Sequence, residues 1–153
     1  MYQEPTGSSV ATIEFINEST SPMATHFYKD ATECTDRTNA GGVPASSQRK
    51  LLIPAGKNLA FTVAMDPKGA SAALAFGALG ALLLSNQGCT PTIDFVPEVG
   101  RTYVFRMKSE ANDCVYHFYA TPQAGQTEAS NVPLTKREWI RPMGEAGPFC
   151  TKK

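Results

Sequence analysis

The chain has 153 residues, of which 42% are hydrophobic and 18% are charged, and this length suits one domain with a core of its own. Its 14 Lys and Arg residues balance its 14 Asp and Glu residues, so no net field attracts nucleic acid or anionic lipid. Because no basic run is interleaved with aromatic residues either, we expect no nucleic-acid partner.

The N-terminal stretch, residues 1–9, is polar and predicts a flexible leader before a single folded domain over residues 10–153. The first five residues (MYQEP) lack both the charged region and the apolar region of a signal peptide. We therefore expect a removed signal upstream. The leader would then be a tether of the kind that follows a lipidated cysteine.

Short β-branched and aromatic runs predict strands along most of the chain. The predicted strands are residues 10–17, 25–29, 49–53, 58–65, 91–96, 101–108 and 114–120. A polar loop is predicted over residues 30–47, because this stretch contains the breaker Gly-Gly-Val-Pro at residues 41–44. After Pro122 the pattern predicts at most one more strand or a helical turn, over residues 132–140.

The turn at residues 97–100 (PEVG) predicts a hairpin between residues 91–96 and residues 101–108. Residues 114–120 follow after another short turn, so these three strands predict an antiparallel meander. Seven short strands at this spacing are typical of an all-β fold, an antiparallel two-sheet β-sandwich.

One apolar stretch interrupts the strand pattern, residues 70–84 (ASAALAFGALGALLL). It is shorter than the roughly 20 residues that a transmembrane helix needs. It predicts a short helix or a collapsed loop packed on the sandwich. The alternative is an exposed surface for a membrane or a partner protein, with Phe76, Leu79 and Leu82 as the contact residues.

The cysteines, Cys34, Cys89, Cys114 and Cys150, are widely spaced and form no CxxC pair, which argues against a zinc ribbon or a redox site. Their positions at predicted strand edges and in loops favour two disulfides and export over four buried thiols. In the predicted meander, Cys89 and Cys114 lie on opposite sides of one strand, about 9–10 Å apart and beyond bonding reach. We therefore expect the pairs Cys34–Cys89 and Cys114–Cys150.

No catalytic or cofactor-binding motif occurs in the sequence, and we expect neither an enzyme nor a cofactor. His26 and His117 alternate with aromatic residues in predicted strands, which favours a sheet surface over a metal site. Asp30, Glu33 and Asp36 lie in one oxygen-rich loop, but this loop lacks the glycine and the final glutamate of an EF-hand. A solvated loop is the simpler interpretation, with calcium as the alternative.

Strand alternation places His117 and Tyr119 on one side of their strand, and Tyr116 and Phe118 on the other. Since only one side can face the core of a sandwich, His117 and Tyr119 predict a binding surface for a protein, a peptide or a sugar. The alternative is that residues 70–84 or the C-terminal tail cover them.

Two turn motifs in the sequence are similar to motifs that recur in a known protein family. The first is "PAG" at residues 54–56, which precedes an alternating strand, and the second is "FVPEVGRTY" at residues 95–103, downstream of Cys89. Over residues 51–120 this pattern resembles small bacterial cell-envelope lipoproteins with a β-sandwich domain. The resemblance implies an envelope location and supplies no functional residues.

Together these observations predict an exported, non-enzymatic domain of the periplasm or outer membrane, anchored by a lipidated cysteine upstream of the chain. We expect it to recognise a protein partner or to assemble an envelope or secretion complex. Small-ligand or glycan binding through the aromatic sheet face is the alternative.

Overall fold

The computed structural model describes residues 1–65, 89–110, 113–144 and 146–151, and all regular structure within these ranges is β-structure. The strands are β1 (Val10–Asn17), β2 (Met23–Asp30), β3 (Thr35–Val43), β4 (Ser47–Pro54), β5 (Leu59–Met65), β6 (Thr92–Phe95), β7 (Thr102–Glu110), β8 (Asp113–Ala120), β9 (Ser130–Asn131) and β10 (Leu134–Arg137). The apolar stretch 70–84, with Phe76, Leu79 and Leu82, lies outside the described residues.

The ten strands form two five-stranded sheets. The first sheet has the order β4-β1-β7-β8-β9, and the second has the order β10-β6-β5-β2-β3. This arrangement confirms the predicted two-sheet β-sandwich. The sheets are not purely antiparallel, however, because β1 and β7 run parallel at the centre of the first sheet.

The core lies between the sheets and consists of the inward-facing residues of each alternating strand. Its centre is aromatic: Phe61 on β5 lies 5.7 Å, between ring centroids, from both Phe15 on β1 and Phe105 on β7. All three side chains are fully buried. Edge-to-face contacts such as these add roughly 0.5–1.5 kcal/mol each beyond area burial.

The connection after β6 corrects the predicted meander. Strand β6 pairs with β5 and β10 in the second sheet, whereas β7 pairs with β1 and β8 in the first. Residues 96–101 therefore cross from one sheet to the other, held by bonds from the Gly56 N–H to the Pro97 carbonyl and from the Gly100 N–H to the Val10 carbonyl. Only β7 and β8 form the hairpin that the sequence predicts.

Strand β3 occupies the predicted polar loop over residues 30–47. It pairs with β2 at the edge of the second sheet, and the register shifts between Thr25 and His26. Gly41 within it has a φ of 96°, a conformation that favours glycine. Irregular, polar edge strands resist pairing with other chains. Because β3 is polar and contains glycines, its sequence also lacks the apolar alternation by which a strand is predicted.

A buried amide holds two of the turns between the sheets. Asn17, at the end of β1, is 1% exposed. Its Nδ2 donates to the carbonyls of Ser21, Val43 and Pro44, and its Oδ1 accepts the Ser19 N–H at 2.9 Å. One side chain thus fixes both the β1–β2 turn and the β3–β4 turn.

Replacing Asn17 with alanine should lower the free energy of unfolding by about 2–3 kcal/mol, because several buried backbone groups would lose their partner at once. Urea unfolding followed by circular dichroism measures the change. Ser47→Ala is the matched control: Ser47 bonds the Pro44 carbonyl from an exposed position, and this variant should lose under about 1 kcal/mol. Equal losses in the two variants would contradict the role of Asn17.

Candidate functional site

The outer face of the second sheet is covered by the C-terminal segment, of which residues 139–144 and 146–151 are described. Phe149 packs on Tyr28 with ring centroids 5.6 Å apart, and the Arg37 guanidinium lies 4.3 Å from the centre of the Phe149 ring. The Phe149 N–H donates to the Cys34 carbonyl at 3.0 Å. This face is therefore an interior, with a small hydrophobic cluster of its own.

A buried ion pair lies beneath this segment. Arg137 on β10 contacts Asp94 on β6, with Nη1 and Oδ2 3.0 Å apart, and both side chains are 2% exposed. The same guanidinium donates to the carbonyls of Ala31 and Thr32, at 2.8 and 2.6 Å. It also donates through Nε and Nη2 to the Thr151 carbonyl. Arg137 thus joins β6, β10, the β2–β3 turn and the C-terminus.

A chain of hydroxyl groups continues this polar layer. The Tyr28 hydroxyl and the Thr62 Oγ1 lie 2.8 Å apart, as do the Oγ1 atoms of Thr62 and Thr92. Burial raises the pKa of Tyr28, and the hydrogen bond with Thr62 lowers it by less. Because these groups bond to one another beneath the C-terminal segment, we assign them a structural role.

The disulfides are confirmed, but the predicted pairing is wrong. Cys34 bonds to Cys150, with Cα atoms 5.5 Å apart, and Cys89 bonds to Cys114, with Cα atoms 5.9 Å apart. The error follows from the predicted meander: because β6 belongs to the second sheet, Cys89 faces Cys114 across the sandwich instead of lying beyond β7. Two disulfides indicate an oxidising, exported compartment.

The acidic loop at the end of β2 is organised by its own backbone. Asp30 Oδ1 accepts the N–H groups of Thr32 and Glu33, at 2.9 and 3.0 Å. Cys34 and Asp36 beside it have positive φ angles. Throughout the described part of the chain, no group of three or more His, Cys, Asp or Glu side chains is arranged to hold a metal ion.

The outer face of the first sheet differs from that of the second, because it presents an exposed His117 and partly exposed Arg106 and Tyr119 side chains. Val104 on β7 lies at its centre and is 3% exposed. Its neighbours in the register are Glu14 on β1 and Tyr119 on β8. Ile16 and Val115 add partly exposed apolar side chains nearby. We call this surface the outer face of the first sheet throughout.

Charged side chains border this apolar centre. Arg106 on β7 pairs with Glu18 at 3.1 Å, and both side chains are 40% exposed. A hydrogen bond with Tyr119, followed by the one with Glu18, raises the pKa of Arg106. Arg106 and Tyr119 therefore lie side by side on this face.

The structure places the sequence-predicted binding residues His117 and Tyr119 together on this face, where His117 is exposed and Tyr119 is half-buried. His26 lies on β2 in the second sheet, away from them. The sequence analysis missed Arg106 and Val104 as members of the surface. Strand alternation could have identified them, since both alternate with the inward-facing Tyr103, Phe105 and Met107.

The sequence matches no model of a known protein family and no curated protein. In the described part of the chain, no helix has the length and apolarity that crossing a bilayer requires.

Proposed function

We propose that this domain is a non-enzymatic exported module that recognises a protein partner through the outer face of the first sheet. The observation that carries the proposal is the difference between the two outer faces. The C-terminal segment packs on the face of the second sheet, whereas the face of the first presents His117, Arg106 and Tyr119 with exposed or partly exposed side chains.

The composition of the surface supports a protein partner. Protein interfaces combine an apolar centre, enriched in tyrosine and arginine, with a polar rim. Here Tyr119 supplies the accessible centre beside the buried Val104, and Arg106 and Glu18 supply a charged border. The surface is also rigid, because a disulfide joins Cys114, next to Val115, to the opposite sheet.

The compartment that we propose is the periplasm or the outer membrane, with the domain tethered by a lipidated cysteine upstream. Two disulfides and the resemblance of residues 51–120 to envelope lipoproteins support this location. In such a compartment the module would act in recognition or in assembly of an envelope or secretion complex. Mass spectrometry of the protein from membranes of its native cells tests the anchor, through a diacylglycerol adduct at its N-terminus.

A photo-crosslinking experiment tests the proposed surface. Benzoyl-phenylalanine placed at position 117 should capture one discrete protein in the native cells, because His117 is exposed beside Tyr119. The same group at position 99 serves as the control, since Val99 is 61% exposed in the 97–100 turn. Mass spectrometry identifies the captured protein, which is then purified for binding measurements.

With the purified partner, Tyr119→Ala should weaken binding by about 10-fold or more, as expected for a central aromatic anchor. Val99→Ala should leave the affinity unchanged. Circular dichroism confirms that both variants fold. Equal affinity of Tyr119→Ala and the parent protein, or equal capture at positions 99 and 117, would contradict the proposal. Binding of an oligosaccharide at Tyr119 without any protein partner would also contradict it.

A further inference from the structure

A tyrosine from the N-terminal stretch lies between the free edges of the two sheets. The Tyr2 N–H donates to the Asn39 carbonyl on β3 at 2.8 Å. Its hydroxyl donates to the Leu52 carbonyl on β4 at 2.7 Å. The Tyr2 ring lies 4.7 Å from that of Phe27. One residue of the predicted leader therefore forms part of the wall on this side of the sandwich.

Beside Tyr2 lies a cavity of about 890 Å³. It opens at the end of the sandwich where β4 ends at Pro54 and β5 begins at Leu59. Cavities of roughly 300–1,000 Å³ are typical of small-molecule sites, so its size suits a ligand of modest length.

The charged residues that line the cavity are all basic. Lys29 and Lys57 are exposed, and they lie at the same end of the second sheet: Lys29 follows the Tyr28–Ala60 register pair, and Lys57 precedes β5. No Asp or Glu is among the described residues that line it, although the chain as a whole has 14 acidic and 14 basic residues. A cleft lined by one sign of charge concentrates ions of the other sign.

Two other charged side chains lie near the cavity, and neither changes the basic character of its lining. Arg37 also contributes to the lining, and its guanidinium is stacked on Phe149. Glu4 lies close enough to Tyr2 to add to the effect of burial, and the two together raise the pKa of Tyr2 to about 12. Lys29 and Lys57 are therefore the exposed cationic side chains among the described residues of the lining, and Tyr2 stays a neutral hydrogen-bond donor at ordinary pH.

The inner wall is apolar. Phe27 and Leu59 are 3% and 7% exposed and belong to the hydrophobic core, and Pro54 and the Tyr2 ring extend this surface outwards. The accessible apolar surface is that of Pro54 and the Tyr2 ring. A ligand that matches both parts of the cavity has an anionic group and an apolar body, because an ion without an apolar body would leave this surface in contact with water.

We propose that the cavity binds a small amphipathic anion, an alkyl or aryl carboxylate. Its carboxylate would lie between Lys29 and Lys57, and its apolar part would lie against Pro54 and the Tyr2 ring, next to Leu59. This site is separate from the outer face of the first sheet and does not depend on the proposed function. Partner recognition and carboxylate binding can therefore succeed or fail independently.

Calorimetric titration of the intact protein with decanoate tests the site. We expect one saturable site that binds decanoate at least 10-fold more tightly than decanol, since only decanoate has a negative charge. The double variant Lys29→Gln/Lys57→Gln should weaken decanoate binding at least 10-fold. Amide NMR shifts on adding decanoate should concentrate at Lys29, Asn58 and Leu59.

The charge-matched control is Lys50→Gln/Lys108→Gln, which removes two exposed lysines outside the cavity lining. It should bind decanoate like the parent protein. The proposal would be overturned if both double variants lost decanoate affinity equally, or if the parent protein bound decanol as tightly as decanoate. The absence of saturable decanoate binding would also overturn it. Sedimentation with phosphatidylglycerol vesicles in the absence of decanoate binding would also overturn it, because the lysines would then serve a membrane surface.

Discussion

Replacing Arg137 with methionine should lower the free energy of unfolding by about 3–5 kcal/mol, the usual effect of removing one partner of a buried ion pair. The change takes the guanidinium away from Asp94 and from the carbonyls of Ala31, Thr32 and Thr151. At roughly 2–4 °C per kcal/mol for a chain of this size, the melting temperature should fall by on the order of 10 °C.

Two further variants distinguish the contribution of the positive charge of Arg137 from that of its guanidinium geometry. Arg137→Lys keeps a positive charge near Asp94 but cannot span the same set of carbonyls, because an ammonium lacks the planar, forked donors of a guanidinium. The free energy of unfolding of Arg137→Lys should therefore lie between the values of the parent protein and of Arg137→Met. Lys50→Met removes an exposed cation from β4 and should change stability by under about 0.5 kcal/mol.

The single tryptophan provides a local readout. Trp139 packs against the hydrophobic cluster under the C-terminal segment. If Arg137 holds this segment down, tryptophan fluorescence in Arg137→Met should change at a lower denaturant concentration than the circular dichroism of the sheets. Coincident transitions with an unchanged midpoint would show that the segment is held without Arg137.

The strands that the sequence predicts well are those in which side-chain periodicity and burial agree. β1 was predicted with its observed bounds, because Ala11, Ile13 and Phe15 alternate with partly exposed residues. β5 was predicted within one residue because its large apolar side chains alternate with small or polar ones, although the structure buries both of its faces. Strand β3 was missed, because its sequence (TDRTNAGGV) has two glycines and little apolar character. Its place is set by pairing with β2, which local propensity does not report.

The sheet to which a strand belongs is harder to predict than the strand itself. A four-residue turn with a final glycine is compatible both with a hairpin and with a crossover between sheets. Here Gly100 bonds to Val10 on β1, and Pro97 bonds to Gly56 in the turn between β4 and β5. These contacts are distant in the sequence, and the disulfide pairing depended on them. Identifying Cys89 and Cys114 as disulfide cysteines needed only their spacing and the residues around them, whereas pairing them needed the topology.

The candidate surface was predictable in part. Alternation along β8 identified His117 and Tyr119, because Tyr116 and Phe118 had to face the core. Cys150 was expected to form a disulfide, but with Cys114 instead of Cys34. Which outer face the C-terminal segment covers was decided by Cys34 and by the contacts of Arg137. Those contacts join residues more than 100 positions apart, and no local pattern in the sequence predicts them.

Removing the Cys34–Cys150 disulfide should cost more stability than removing Cys89–Cys114. The first pair spans 116 residues, and on the chain-entropy model its crosslink is worth about 5 kcal/mol. The second spans 25 residues and is worth about 3–4 kcal/mol on the same model. Cys34→Ala/Cys150→Ala should therefore melt at a lower temperature than Cys89→Ala/Cys114→Ala.

Proteolysis and peptide mapping complete this test, because the two disulfides hold different parts of the molecule. Without Cys34–Cys150, residues 139–151 keep only non-covalent contacts with the second sheet, and a protease should cleave within them before the sheets unfold. Without Cys89–Cys114, that segment stays tied and early cleavage there should not occur. Peptide mapping of the unreduced parent protein should recover Cys34 joined to Cys150. Recovery of Cys34 joined to Cys89 would contradict the crossover after β6, since in the sandwich Cys89 faces β8 and Cys34 lies under the C-terminal segment.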